Sequence, residues 1–315
     1  MAVGRRKVLQ VIAGTGAIAA ANAVPVRAAR AAKAAPPDAL GMLYDTTLCI
    51  GCKACVSACR EANDLQPSWD EERLHHAPLD LNGRTKNVIK LYKEGDRMSF
   101  FMAQCMHCVD PACASACMLG SLHKDEVTGI VTYDASYCVG CRYCMMACPF
   151  NVAKFEYEKR APKIVKCELC RHRFGGAQLA STGGFSRFAT GHGPACCEVC
   201  PRGAVIYGKR TELLHEAKRR IEANPGRYHQ DKVYGEADAG GTQVLYLSHV
   251  PFDKISLPDI GSQGVPHVAY TIQEGLYRGF VAPVALYGVL GLVMLRNRKK
   301  GGAAAPEAQK GGRRE

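Results

Sequence analysis

The chain reads as an α+β protein of two nested modules, each built around a pair of cysteine quartets, followed by a C-terminal transmembrane helix. Three observations carry this expectation. Sixteen of the 17 cysteines fall into four closely spaced runs. Short apolar-alternating segments bounded by Gly or Pro lie between the runs, as strands and hairpins do. An uncharged stretch of 16 residues, Phe280–Leu295, comes near the end and runs into a basic cluster.

The stretch Gln104–Phe150 organises the rest. It contains Cys105-x2-Cys108-x4-Cys113-x3-Cys117 and, after 20 residues, Cys138-x2-Cys141-x2-Cys144-x3-Cys148-Pro149. A [4Fe–4S] cubane needs four thiolates converging from a tightly curled loop. A C-x2-C-x2-C run supplies three, and the fourth Cys, before Pro, ligates the other cluster. This is the pattern of a bacterial-type ferredoxin with two clusters. Disulfide scaffolds are shorter and are not arrays of C-x2-C. Zinc sites pair two C-x2-C units across a spacer and lack the third Cys at x2.

The formal charge of +12 suggests a nucleic-acid or membrane surface, but its distribution argues otherwise. Residues 1–28 carry +4 and residues 296–315 carry +5, leaving +3 between them. Each oxidised cubane with its four thiolates adds about −2. Four would make the body acidic, so no nucleic-acid partner is expected.

Residues 1–28 have the order of an export signal: Arg5, Arg6 and Lys7, a weakly apolar run from Val8 to Val24, then small residues. The adjacent arginines resemble a twin-arginine signal, with Val8 where Phe is frequent. Ala21-Asn22-Ala23 and Val26-Arg27-Ala28 are both possible cleavage sites, and Ala28 is preferred. Clusters must be inserted before export, which suits a route that carries folded cargo.

Residues 40–70 hold the first quartet, Cys49-x2-Cys52-x2-Cys55-x3-Cys59. Gly51 and Gly140 sit within C-x2-C turns, where a missing Cβ lets the backbone bend sharply. Arg60 replaces the usual Pro after the fourth Cys. Residues 67–103 contain no cysteine and read as a surface insertion, with Trp69, the charged run 70–73, His75 and His76, and a strand from Asn87 to Tyr92.

Residues 96–127 and 128–160 carry the second and third quartets. His107 lies inside a ligand loop; a cluster histidine is rare outside Rieske-type centres, which use two. Met118 stands where Pro is usual. Thr128-Gly129 predicts a hairpin turn before a strand over Ile130–Tyr133. Two further strands are expected on either side of Lys159–Pro162.

Residues 161–210 hold a stretched fourth quartet: Cys167-x2-Cys170, then 25 residues with six glycines, then Cys196-Cys197-x2-Cys200-Pro201. Cys196 is preferred to Cys197 because it keeps the x3 spacing to Cys200, and a zinc site remains the alternative for this run. The loop lengths suggest nesting. One cluster would take Cys49, Cys52, Cys55 and Cys200, and its neighbour Cys59, Cys167, Cys170 and Cys196. The inner pair would take Cys105, Cys108, Cys113 with Cys148, and Cys117 with Cys138, Cys141 and Cys144. The expected cofactors are therefore four [4Fe–4S] clusters, with these sixteen cysteines as iron ligands.

Residues 211–265 predict a helix N-capped by Thr211 and stopped at Asn224-Pro225-Gly226, then an alternating strand in TQVLYLSHVP. At 1.5 Å per residue Phe280–Leu295 would span about 24 Å, somewhat short of a ~30 Å hydrocarbon core. Tyr277 and Arg278 extend it, giving a transmembrane helix over residues 276–296. The basic flank Arg296, Arg298, Lys299 and Lys300 places the tail, residues 297–315, on the cytoplasmic side and the cluster body outside.

The array resembles the ferredoxin-like electron-transfer subunits of membrane respiratory oxidoreductases. These include formate dehydrogenase beta subunits and dimethyl-sulfoxide and polysulfide reductase B subunits. GMLYDTTLCIGCKACVSAC, QCMHCVDPACASAC, GCRYCMMACPFNV, KCELC and GGTQVL occur in the same order as in the HybA-type subunits of [NiFe] hydrogenase-2 complexes, which they resemble most. The resemblance implies two nested bacterial-ferredoxin-like modules and an inner-membrane, single-pass subunit with its clusters in the periplasm. It implies partners in the hydrogenase small and large subunits and in an integral membrane quinone-reactive subunit. A formate dehydrogenase partner is the alternative. No Ser/His/Asp constellation, phosphate loop, flavin fingerprint or radical C-x3-C-x2-C pattern appears, so no substrate chemistry of its own is expected. A sensor would not need four clusters.

Overall fold

A computed structural model describes residues 33–66, 80–173, 193–266 and 286–297. The expected export signal, the run around Trp69, His75 and His76, and most of the Gly-rich loop lie outside these residues. So do residues 267–285 and the C-terminal tail.

The body, Ala32–Val268, is one compact unit. Its frame is a three-stranded sheet. Strand β1 (Leu40–Asp45) lies at the centre, antiparallel to β8 (Val205–Lys209) and parallel to β9 (Val244–Leu247). Helix α5 (Arg210–Ala223) covers one face. Leu43, Ile206, Leu245 and Leu247 meet Leu213 and Ala217 there, with Leu214 and Ile221 half-buried at the margin. That is the i, i+4 stripe of an amphipathic helix. Met42, Tyr44, Val205, Val244 and Tyr246 point to the other face, into the core shared by the cysteine loops. Alternate residues of each strand thus serve two cores.

Both faces being covered explains one departure from expectation and two strands that the sequence did not announce. The stretch TQVLYLSHVP was expected to alternate, yet all four residues of β9 are buried. Strands β1 and β8, in which all or most residues are apolar or buried, lack the alternation that marks a half-exposed strand. The helix also begins two residues earlier than expected. Lys209 is the N-cap and its side chain caps nothing, so Thr211 is not the cap. Asn224 ends the helix as expected. Arg220 then ties α5 to β1 by a 3.2 Å ion pair with buried Asp45, which also accepts from the Tyr228 hydroxyl at 3.0 Å.

Three hairpin-like pairs complete the body, all antiparallel: β2 (Asn87–Glu94) with β3 (Arg97–Gln104), β4 (Leu122–Lys124) with β5 (Val131–Tyr133), and β6 (Lys154–Phe155) with β7 (Ile164–Val165). The predicted turn between β4 and β5 is made by Asp125, whose carboxylate accepts from the Val127 and Thr128 N–H groups. Four short helices carry cysteines: α1 (Ala54–Ala62), α2 (Ala112–Ser115), α3 (Tyr143–Ala147) and α4 (Ala195–Glu198). They pair as α1 with α4 and α2 with α3. Pro149 follows Cys148 and α3 stops at Ala147, whereas Arg60 follows Cys59 and α1 runs on to Ala62. Proline's missing N–H and fixed φ account for the difference.

Among the described residues no helix is long and apolar enough to cross a membrane. Residues 286–297 are helical, with Tyr287, Leu292 and Met294 exposed. The rest of the expected span, 276–285, lies outside the described residues.

Leu213 is fully buried between α5 and the sheet. Leu213→Ala should destabilise the fold by about 2–5 kcal/mol. A lowered denaturant midpoint in far-UV circular dichroism would show it, with solvent-facing His215→Ala as the unshifted control.

Candidate metal centres

Each strand pairing brings together cysteine loops that are distant in sequence. Tyr44 pairs with Val205 across β1 and β8, and the Asp45 N–H donates to Ala204 O at 2.7 Å, which sets the Cys49 turn beside Cys200. Leu122 pairs with Tyr133, and the Asp134 N–H donates to Ser121 O at 2.8 Å, which sets Cys117 beside Cys138. Lys154 pairs with Val165, so the chain leaving Cys148 returns alongside the approach to Cys167. Asn87, opposite Gln104 in β2–β3, donates its amide to Cys55 O at 3.2 Å and fastens the first quartet to the second.

The sixteen expected ligands gather into four sets. In the first, Cys49, Cys52, Cys55 and Cys200 line one recess, walled by Tyr44, Ile89, Met102 and Val205. Burial pushes the Cys49 thiol up, while the Tyr44 hydroxyl and the Gly51 N–H oppose it. Burial and the neighbouring Cys196, Cys49 and Cys200 thiols push Cys55 well up.

The second set is Cys59, Cys167, Cys170 and Cys196. Burial, then Cys196 and Cys170, hold Cys59 far above the usual thiol range, with Lys86 acting the other way. Burial, then Cys59, Cys196 and Cys170, do the same to Cys167. The Asn63 amide nitrogen lies 3.7 Å from Cys59 Sγ and 3.9 Å from Cys170 Sγ, and its oxygen accepts from Lys86 Nζ at 2.8 Å. Lys86 therefore fixes which way the amide points.

In the third set, burial raises Cys105 against the charge of Lys166, and burial plus Cys105, Cys148 and Cys113 raises Cys108 far more. Burial and Cys105 push Cys113 up to about 12. The fourth set is Cys117, Cys138, Cys141 and Cys144. Burial, then Cys117 and Cys141, lift Cys144 to about 11. Cys117 is different: burial raises it, but the N–H groups of Leu122, Leu119 and Ser121 outweigh burial and bring it below the usual thiol range.

The sets form a row. Cys55 of the first feels Cys196 of the second, and Cys113 of the third feels Cys144 of the fourth. Between the second and third stands Tyr246, fully buried and influenced by Cys167, Cys196 and Cys105. Its hydroxyl donates to Met102 O at 2.6 Å.

The C-x2-C turns that open the four runs share one backbone device. The second intervening residue has positive φ in each: Gly51 (71°), His107 (47°), Gly140 (72°) and Leu169 (52°). A Cβ at Gly51 would meet the Phe100 ring at 2.5 Å, so only glycine fits there. His107 and Leu169 pay the left-handed penalty of about 1–2 kcal/mol, and both are wholly buried, where packing holds them. Residue identity flagged the two glycines and missed the other two. His107 is not turned to solvent: its Nδ1 accepts from the Val131 N–H at 3.0 Å. Sequence reasoning also missed Asn63, although it stands four residues after Cys59 on a helix, the spacing that puts two side chains on one face. Nothing in the local sequence marks Tyr44 or Lys166.

Among the described residues no group of three or more His, Cys, Asp or Glu is gathered tightly enough to hold a single metal ion. Each set is instead a ring of thiols whose ionisation is opposed by burial and by its neighbours. A group that takes four thiolates and carries iron charge relieves both costs, so the donor sets fit [4Fe–4S] clusters. Cys197 is fully buried against Cys196, and burial raises its thiol.

The chain matches two families described as 4Fe-4S dicluster domains, over residues 96–210 and 48–121. It is 38% identical over 292 residues to the hydrogenase-2 operon protein HybA of Escherichia coli O157:H7, covering 84% of this chain and 86% of that protein. It is 30% identical over 256 residues to the nitrate-inducible formate dehydrogenase iron–sulfur subunit of Escherichia coli K12, covering 79% and 80%. The formate dehydrogenase iron–sulfur subunit of Haemophilus influenzae is 30% identical over 262 residues, covering 81% and 78%.

Cys196 acts on Cys55, Cys59 and Cys167 and keeps the x3 spacing to Cys200, while Cys197 is itself influenced by Cys170, Cys167 and Cys200. Cys196→Ser should therefore lose about four iron atoms per chain, and Cys197→Ser should keep its full iron. Iron analysis of the two purified variants decides between them.

Proposed function

The chain belongs to the HybA-type family of 4Fe-4S dicluster electron-transfer subunits, and on that premise we propose that it relays electrons between a periplasmic hydrogenase and a quinone-handling subunit of the inner membrane. As an iron–sulfur electron-transfer subunit it works with redox-enzyme partners. The partners inferred for this chain are the small and large [NiFe] hydrogenase subunits on one side and an integral quinone-reactive subunit on the other. The observation that carries the relay is the row of four thiol sets, each adjoining the next through named side chains.

When bound, each [4Fe–4S] cluster supplies a carrier for one electron. The protein's part is to fix spacing, exclude water and set local charge. Strands β1, β8 and β9 hold the first two sets against one sheet, and the β4–β5 hairpin holds the last. Cys52 and Cys141, at opposite ends of the row, are both exposed. They mark where electrons would enter and leave. The interior thiols Cys105, Cys59 and Cys167 are buried.

We read the full ligand assignment as four clusters: Cys49, Cys52, Cys55 and Cys200; Cys59, Cys167, Cys170 and Cys196; Cys105, Cys108, Cys113 and Cys148; and Cys117, Cys138, Cys141 and Cys144. We read residues 1–28 as a twin-arginine signal and residues 276–296 as a single membrane span with a cytoplasmic tail. The paired arginines, the uncharged run and its basic flank support this reading. No substrate site of its own is proposed. The likeness to formate dehydrogenase iron–sulfur subunits supports a second reading, in which the same relay serves formate oxidation. Reduction of the purified complex by hydrogen, and not by formate, separates the two.

Cys141→Ser should abolish hydrogen-to-quinone turnover while dye reduction by the catalytic partner continues. Unchanged quinone-linked turnover in that variant would contradict the relay.

A further inference from the structure

Two lysines beside the third set, Lys166 buried and Lys124 half-buried, have no acidic partner among the described residues. Lys166 is 3% exposed, and its Nζ donates to Val131 O at 2.5 Å and Cys167 O at 3.1 Å. Lys124 is half-buried, and its Nζ donates to Cys108 O at 2.7 Å, Gly129 O at 2.6 Å and Gln243 Oε1 at 3.3 Å. Every one of these acceptors is neutral, and among the described residues neither lysine forms an ion pair. A buried ammonium held only by carbonyl dipoles is costly, and such charges are normally matched by an opposite charge.

The nearest source of negative charge is the thiol set itself. Both ammonium groups act on Cys105; Lys166 also acts on Cys113 and Lys124 on Cys108. The one carboxylate in this loop, Asp110, is already paired with Lys33 at 3.1 Å. The other three sets are served differently. Lys53 and Arg202 beside the first are exposed, as is Arg142 beside the fourth, and water screens them. Lys86 at the second set is offset by Glu168, 3.9 Å away.

Adding an electron to a cluster adds negative charge to its site. Deep burial opposes this, and a nearby unscreened cation favours it. The third set is flanked by wholly buried His107 and nearly buried Val109, so burial alone would make a cluster there hard to reduce.

We propose that Lys124 and Lys166 are positioning residues for the interior centre: paired cations whose counter-charge is the cluster held by Cys105, Cys108, Cys113 and Cys148, and which raise its reduction potential into line with its neighbours. This rests on the relay reading and adds to it a residue-level control of one step. Lys166 has a second consequence. Its bond to Val131 O ties the approach to Cys167 to β5, so the side chain that sets the charge also fastens these two segments.

The test is a redox titration of the intact purified complex, followed by electron paramagnetic resonance, for wild type, Lys166→Met, Lys166→Arg and Lys124→Met. The expected result is that one of the four reduction steps moves to more negative potential in both methionine variants, the other three stay in place, and Lys166→Arg stays near wild type. Unmoved steps in both methionine variants, or equal shifts of all four, would overturn the proposal. So would loss of iron in Lys166→Met accompanied by an unshifted Lys124→Met. A wild-type complex without cluster signals would instead sink the relay reading beneath it.

Discussion

Thiols buried beside one another cannot all ionise unless they share a positive group, and the architecture of this chain follows from that constraint. Burial raises nearly every thiol in the row for which a shift is resolved, and neighbouring thiols raise most of them further. A fold that keeps such sets together must bring the segments in from a distance and pin them firmly. The three-stranded sheet does this for the first set, because the register of β1 against β8 delivers two loops about 150 residues apart to one place. The β4–β5 hairpin does it for the fourth set at far shorter range.

In the proposed ligand assignment, neighbouring sets exchange one cysteine. Helix α1 carries Cys55 for one set and Cys59 for the next, one turn on, and α4 carries Cys196 toward α1. Neither set closes without the other. The same relation links α2 and α3. Polar groups then tune each site separately: backbone N–H groups at Cys117, the Asn63 amide at Cys59 and Cys170, and ammonium groups at Cys105. These are different means of favouring negative charge on sulfur, and each acts over short range.

Much of this was readable beforehand. The turn at Thr128-Gly129 and the strands on either side of Lys159–Pro162 agree with the geometry, because turn chemistry is a local rule. What escaped the sequence was set by tertiary context. Strand β1 is buried on both faces and so carries no alternation. Thr211 looked like a cap, yet Arg210 already opens the helix and is held by the carbonyls of Thr242, Gly235 and Glu236. His107 and Leu169 take a glycine's conformation only because complete burial holds them there. Lys124 and Lys166 look like ordinary surface lysines until the fold half-buries the first and buries the second.

The central claim is that sixteen thiolates hold four iron–sulfur cages in a row. Mössbauer spectroscopy of the iron-57-enriched complex tests it most directly. The account predicts that all of the iron assigned to this chain appears as four-iron cubanes, delocalised pairs when oxidised and paramagnetic on reduction. A chain carrying zinc, or iron in mononuclear tetrathiolate sites, would contradict it.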